Sequence, residues 1–390
     1  QDLSLITTNF FNEVMIQYGS AGATWGSGAV GGAVHLNNSA SFDKGFSIVA
    51  GTSFGSFADK QQHASLAISK KRIVSTVKIS NHTAKNNFPF RNVTLPEQSM
   101  QRLSNAELKQ VGFMNENYFQ INEQQKINVR FWYQSASRNI PPSMSQKSSV
   151  SNQGDESYRV TSEWQCTAEK LLLTARAGHF NEVLTYDDSI SAIHSKNKSR
   201  VTILETEGKF RLTKMDMLTL ALNNTYVEAF AEGYVKNPHQ SRFSLIGSYK
   251  IHSKKNTLNG FLNVRQELIQ PDNHAIDTII FTPFKTKQVL TKASRPFTYS
   301  IGGEGYLFKY LSLNFSVAQH YRIPTFNDLY WAQGGNINLK PESGWGEEVG
   351  LSFKHQYNGL SATVNATVFN RVINNWILWT PIASGYWAPD

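Results

Sequence analysis

Apolar and polar residues alternate along most of the chain with a period of two. Phe46, Ile48, Ala50, Thr52 and Phe54 make one mostly apolar row, while Ser47, Val49, Gly51 and Ser53 make a small, mostly polar one. A strand with one face on lipid or core and the other on water needs this pattern. Ile127, Val129, Phe131 and Tyr133 alternate in the same way with Asn128, Arg130, Trp132 and Gln134, and Leu218, Leu220 and Leu222 with Thr219, Ala221 and Asn223. Further rows are Phe243, Leu245, Gly247, Tyr249 and Ile251; Leu311, Leu313, Phe315 and Val317; and Leu360, Ala362, Val364, Ala366 and Val368. Helical periodicity is almost absent, Asn105 to Val111 being the one modest stretch. The pattern predicts an all-β fold of about fifteen strands. Many of them approach the roughly 9 to 11 residues that a tilted strand needs to cross a bilayer.

Short and long connections take turns between these strands. The short ones are predicted at Lys70 to Arg72, Gln125 to Lys126, Thr167 to Glu169, Leu212 to Asp216, His252 to Asn256, Lys309 to Tyr310 and Asn358 to Gly359. The long ones occupy 81–117, 135–157, 181–199, 232–240, 268–295, 322–344 and 373 onward. An up-and-down barrel with tight turns on one rim and large loops on the other produces this alternation, as outer-membrane barrels do. Asn358-Gly359 is a strong hairpin signal, because both positions accept the positive φ of a type I′ turn. Tyr249, Tyr306, Tyr310, Tyr357, Trp376, Trp379 and Trp387 fall near predicted strand ends, where amphipathic rings favour the headgroup level. A large secreted β-protein, a propeller or an adhesin, is the alternative that the alternation alone leaves open.

Composition narrows the picture. Of 390 residues 40% are hydrophobic, 12% aromatic and only 17% charged, which argues against disorder. Thirty-eight Lys and Arg against 29 Asp and Glu give a net charge of +9, which permits contact with nucleic acid or anionic lipid headgroups without choosing between them. The single cysteine, Cys166, has no intrachain partner, and no Cys/His cluster has the spacing of a zinc site. No run of eighteen apolar residues exists, so no transmembrane helix can be drawn. Gln1 to Thr8 lack the features of a secretory signal; either the protein is not exported or its start is missing. No catalytic set emerges: Ser27 lacks the Gly-x-Ser-x-Gly elbow, and histidines such as His35, His63, His82 and His320 are scattered.

Residues 18–37 are rich in glycine, with Gly26, Gly28, Gly31 and Gly32 within seven positions. Such a backbone can turn sharply or lie very close to another surface. A phosphate loop is excluded, because no Gly-Lys-Ser/Thr ending follows and the segment runs into an alternating strand rather than a helix.

Tyr18 to Asn37, and Trp25 to Gly32 most closely, resemble the end of the plug domain of TonB-dependent outer-membrane receptors. Tyr321-Arg322-Ile323-Pro324, followed by Asn327, Leu329, Tyr330, Asn336, Leu339, Lys340, Pro341, Glu342 and Glu348, resembles the barrel signature of the same family. The two motifs stand in the family's order. Where the family has a basic residue and then Gly-Pro, this chain has Tyr18-Gly19-Ser20, so the usual plug-to-barrel ion pair is not expected from that position.

The resemblance implies part of a plugged, 22-stranded antiparallel transmembrane barrel. Residues 1–43 would be the end of the plug and 44–390 the N-terminal two-thirds of the barrel. Against 22 strands, a count of about fifteen reads as an internal fragment without its signal peptide, TonB-contacting segment, most of the plug and the closing strands. The implied activity is energised import of a scarce nutrient, an iron-siderophore, cobalamin or similar, from the outer membrane of a Gram-negative bacterium into the periplasm. The implied partners are the TonB complex, outer-membrane lipid and a bulky ligand, with no nucleic acid, no cofactor, no metal site and no catalysis; a non-transporting surface adhesin is the alternative. The long loops are where ligand contacts are expected. Phe88, Phe90, Arg91, Tyr330 and Trp331 are the candidates, since aromatic and Arg side chains suit a large, partly apolar, anionic chelate. Arg322, Pro324 and Glu342 are expected to shape their loop, with a lumen-facing Glu342 paired to a plug arginine as the alternative.

Overall fold

The computed structural model describes residues 5–18, 21–29, 31–232, 234, 237–253, 257–271, 294–331, 334–381 and 387–390. It opens with strand β1 (Glu13–Tyr18), a short helix α1 (Gly22–Trp25) and β2 (Gly32–Asn37), and β1 and β2 pair antiparallel. There follow β3 (Gly45–Phe54), β4 (Lys60–Ser69) and β5 (Ile73–Ala84), a small hairpin of β6 (Pro89–Arg91) and β7 (Met100–Arg102), then β8 (Leu108–Gln120) and β9 (Gln125–Asn139). The long strands β10 (Asn152–Thr167), β11 (Leu171–Asp188), β12 (Ile193–Arg211) and β13 (Asp216–Ala231) come next, then β14 (His239–His252), β15 (Leu258–Pro271), β16 (Phe297–Phe308) and β17 (Leu311–Arg322). Helix α2 (Phe326–Tyr330) precedes β18 (Glu342–Tyr357) and β19 (Leu360–Asn374), and a last hairpin joins β20 (Trp379–Pro381) to β21 (Trp387–Pro389).

The strands from β3 to β19, without the hairpin β6–β7, form one fifteen-stranded sheet in which each strand pairs with its neighbour in sequence. The expected all-β class and up-and-down order are therefore what the chain adopts. One rim is made, among the described residues, of Ser253, Thr257 and the tight connections 70–72, 121–124, 168–170, 212–215, 309–310 and 358–359. At the last of these Asn358 and Gly359 have φ of 46° and 83°, the positive values expected of the hairpin turn. Among the described residues the other rim carries 55–59, 85–107, 140–151, 189–192, 232, 234, 237–238, 294–296, 323–331, 334–341, 375–381 and 387–390. The expected long loop at 268–295 lies mostly outside the described residues.

Three local expectations are corrected. The stretch 181–199 is not a loop: β11 and β12 stay paired from Leu171↔Phe210 to Asp188↔Ile193, leaving only 189–192 to turn the chain. Strands of 18 and 19 residues exceed what a bilayer requires, so their polar ends extend the ladder into water without a hydrophobic mark. Asn105 to Val111 is not helical; Asn105 has a φ of 51° and Leu108 already begins β8. Gln125 and Lys126 belong to β9, and the turn before it is 121–124.

Side chains separate by face as the alternation requires. Phe46, Leu220, Leu222 and Leu245 point outward and are exposed, while Met114, Glu116, Thr174 and Ser244 point inward and are buried. No helix among the described residues is long and apolar enough to cross a membrane; the sheet's apolar outer face is the surface suited to lipid. An Arg at lipid-facing Leu222 is expected to cost about 2–4 kcal/mol if it sits near the bilayer midplane, whereas Asn223→Arg beside lumen-facing Glu205 costs much less. Urea unfolding of the full-length protein in lipid vesicles measures both.

Candidate functional site

The opening segment lies against the polar, concave face of the sheet at two stations. At the first, Phe10 is 1% exposed and packs with Met114 and Trp132, joined by Ile6, Phe11 and Leu36. The Phe11 ring meets Trp132 edge-on, 5.4 Å between centroids. Beside them the Glu116 carboxylate is held by Lys78 Nζ at 2.8 Å and Arg130 Nε at 2.6 Å. Asn38 Nδ2 donates to both Glu116 oxygens at 2.9 Å and to the Phe10 carbonyl at 2.9 Å, and Lys78 donates to that same carbonyl at 2.6 Å. A charge-assisted cluster in the wall thus grips a neutral carbonyl and an amide of the segment. Neither the apolar patch nor this cluster was anticipated from sequence, because each joins the opening segment to strands far along the chain.

The second station is α1 and the glycine turn, packed against β14 to β17. Arg265 is buried, with Nε on Glu267 at 2.6 Å, one terminal nitrogen on Ser244 Oγ at 2.8 Å and the other on the Thr24 carbonyl at 3.4 Å. Gly26 has a φ of 93°, and a Cβ there would stand 2.9 Å from the Arg265 guanidinium. That is the close approach expected of the run. The Gly28 amide donates to the Tyr321 carbonyl at 3.3 Å, and the Ile323 amide donates to Ser27 Oγ at 3.3 Å. Trp25 donates to Gln17 Oε1 at 3.1 Å and stacks edge-on against His35. Tyr18 ends β1 opposite Gly32, Gly31 faces open space, and Gly19 lies outside the described residues.

On the loop rim the signature residues converge on Arg322. Its Nε and one terminal nitrogen each reach a Glu342 oxygen at 2.6 Å, and the other approaches Asp328 at 3.9 Å. Asp328 is the third residue of α2 and closes a capping box: its amide donates to Thr325 Oγ1 at 3.2 Å and its carboxylate accepts from the Thr325 amide at 2.8 Å. The same carboxylate accepts from Trp379 Nε1 at 2.9 Å, and Glu342 accepts from the Ile377 amide at 2.9 Å. Asn336 donates its amide proton to the Asp328 carbonyl at 2.8 Å and its side chain to the Pro389 carbonyl at 3.3 Å. Leu339 donates to the Asn336 carbonyl, and the Pro341 carbonyl accepts from Asn375. Glu348 lies further down β18, 3.9 Å from Arg371.

Glu342 thus has a partner within this chain in Arg322, twenty residues earlier. Trp379 and Trp387, expected at the headgroup level, belong instead to the β20–β21 hairpin of this loop cap. The cap extends sideways through a bridge between Trp331 and Tyr234. Burial, and after it the Asp328 carboxylate, push the Tyr234 phenol up to about 12, so it is neutral at physiological pH.

The expected ligand residues fall into two groups that sit in separate loops. Phe88 is exposed and packs edge-on against Phe57 at 6.0 Å. Phe90 and exposed Arg91 lie in β6. Asn92 and Asn105 tie this loop to 140–151 through the carbonyls of Met144, Ile140 and Ser151. Tyr330 and Trp331 end α2 and are half-buried. A cavity of about 600 Å³ that none of them lines opens beside Leu5, Ile6, Gln134, Arg138, Arg159 and Glu182. Its two arginines are paired within the wall, Arg138 with Asp155 at 3.2 Å and Arg159 with Glu182 at 2.9 Å. Among the described residues no group of three or more His, Cys, Asp or Glu could hold a metal ion.

Residues 17–387 match the family described as TonB dependent receptor-like, beta-barrel. The chain belongs to the TonB-dependent receptors. It is an outer-membrane protein of a Gram-negative bacterium, and the known members it resembles are transporters and receptors. The copper transporter OprC superposes with a TM-score of 0.79 at 12% identity, over 99% of this chain and 62% of that one. The Serratia marcescens hemophore receptor HasR, solved with its hemophore HasA and heme, gives 0.76 at 12% identity over 96% of this chain and 62% of that one. At such identities the likeness speaks for the fold alone. In sequence, the vitamin B12 transporter BtuB of Photobacterium profundum is 37% identical over 83 residues, 20% of this chain and 13% of that protein. BtuB of Vibrio vulnificus is 33% identical over 82 residues, 21% of this chain and 13% of that protein. This receptor chain thus spans about 62% of the solved chains. Within it, Glu116→Leu leaves Lys78 and Arg130 facing the lumen without their carboxylate and is expected to cost about 3–5 kcal/mol. Thermal unfolding of the purified receptor, followed by tryptophan fluorescence, reads the loss.

Proposed function

We propose that this chain forms the wall and the end of the plug of a receptor that binds a scarce nutrient at its loop rim and imports it into the periplasm, energised by the TonB complex. In this reading residues 1–43 are the last part of the plug and 44–390 the barrel wall. The observation that carries it is the seating of the opening segment on the concave face, with Phe10 and Glu116 buried at one station and Arg265 against Gly26 at the other. An adhesin needs no such occupied interior. No step of transport requires covalent chemistry, so no enzymatic activity is assigned.

The local likeness to vitamin B12 transporters makes cobalamin the first cargo to test. The structural neighbours named for iron, heme or siderophores make a ferric chelate the second. Aromatic Tyr330 and Trp331 at the cap and Phe88, Phe90 and Arg91 across the rim are the proposed contacts.

Deleting the gene is expected to abolish growth on limiting cyanocobalamin, or on a ferric siderophore as sole iron source, and disrupting TonB is expected to give the same defect. Restoration by the intact gene but not by a copy lacking the codons for residues 1–43 would support a plug in that segment. Unchanged uptake of both nutrients by the deletion strain, or an intact product recovered outside the membrane fraction, would overturn the reading.

A further inference from the structure

We propose that Tyr321–Pro324 couples the loop cap to the plug, with Arg322 as its positioning residue; this rests on reading residues 1–43 as plug. Three consecutive residues face two different partners. The Tyr321 carbonyl and the Ile323 amide hold Gly28 and Ser27 of the glycine turn, both at 3.3 Å. Between them the Arg322 side chain holds Glu342 through two bonds of 2.6 Å and approaches Asp328, and those two carboxylates hold Ile377 and Trp379 of the last loop.

The backbone joining these grips has little torsional slack. Pro324 is buried and its ring sets φ. Ile323, also buried, is restricted by the proline that follows it. Thr325 caps α2 at once. A displacement of α2 or of the 375–381 strand end therefore moves the Ile323 amide and the Tyr321 carbonyl rather than being absorbed by a flexible linker.

The plug side of the junction is built to respond. Its two bonds are neutral and long, and so weak, and a small shift of the strand end breaks both. The other station, around Phe10 and Glu116, rests on buried apolar contact and charge-assisted bonds and is unaffected by such a shift. Cargo seated on the cap would then loosen the glycine turn first and leave the Phe10 station closed. The arginine, the proline and the distant glutamate of the barrel signature become parts of one device: the side chain reads the loops while the adjoining peptide groups hold the plug.

The two amides concerned report on themselves by hydrogen exchange in the full-length receptor in detergent, without cargo. Arg322→Ala is expected to speed exchange across 21–29 by about fivefold or more, together with 323–331 and 375–381, while 8–14 keeps its wild-type rate. Arg322→Lys, which keeps the charge but not the paired geometry, is expected to fall between. Coupling is reciprocal, so Gly28→Val, strained at a φ of 94° but facing open space, is expected to speed exchange at 323–331 and 375–381. Faster exchange in the loops alone after Arg322→Ala, with 21–29 unchanged, would mean that Arg322 merely pins its own loops, and the proposal falls. Should Arg322→Ala not fold, Asp328→Asn and Gly28→Val carry the same test, and an effect confined to the mutated side in both overturns it. The transport reading stands or falls separately, on the growth assays.

Discussion

Hydrocarbon offers no hydrogen-bond partner, so every peptide group of a chain crossing a bilayer must be paired within the protein. A β-chain meets that demand by pairing each strand with the next, and the fifteen strands here follow one another across the sheet in sequence order. The same constraint sorts the side chains. With a period of two, each strand hands one row to lipid and the other to the interior. Charges assigned to the inner row then find partners on adjacent strands: Arg176 meets Glu163 and Glu205 at 2.7 and 2.6 Å, Arg159 meets Glu182, and Arg130 meets Glu116. The inner wall is thus polar yet largely self-compensated.

A self-compensated wall can hold a neutral segment firmly. Neither station uses a charged residue of the opening segment. The wall supplies Lys78, Glu116, Arg130 and Arg265, and the segment supplies carbonyls, an asparagine amide, glycines and a phenylalanine. The chain's departure from the family at Tyr18-Gly19-Ser20 fits this arrangement, since a wall that already pairs its own charges gains nothing from a further cation. The two stations differ in kind. One buries an aromatic ring beside a carboxylate, and the other rests a glycine turn on the Arg265 guanidinium and on backbone groups at the end of β17.

The strand number, the up-and-down order and the turns at 70–72, 309–310 and 358–359 were legible because alternation and turn chemistry are local. Beyond the membrane that signal fails. At β11 and β12 polar residues continue the ladder as readily as they would form a loop, and only the partner strand decides. The glycine run was legible as a close approach, though the guanidinium it makes room for, Arg265, lies more than two hundred residues away. In the cap, Arg322, Pro324 and Glu342 were visible as a motif but not as a pair with a function. Thr325-x-x-Asp328 carried a capping signal that was missed, and Trp379 was read as a membrane anchor when it completes that cap. Pairings across twenty or fifty residues leave no periodic trace, so the candidate site was legible residue by residue and not as an assembly.

The net charge of +9 finds its place in the same geometry. With the inner cations largely matched, the excess has to sit at the rims, and the tight rim is conspicuously basic. Lys70, Lys71 and Arg72 crowd one turn, Lys170, Lys214 and Lys309 stand on others, and all are exposed. Turns that close transmembrane hairpins lie at the headgroup level, where each such cation within a Debye length of an anionic surface contributes about 1 kcal/mol of attraction. Composition alone could not choose between nucleic acid and lipid as the partner of this charge. Strand topology adds a placement, because it distributes these cations one turn at a time along the tight rim of the sheet, where the hairpins of an outer-membrane barrel meet lipid headgroups.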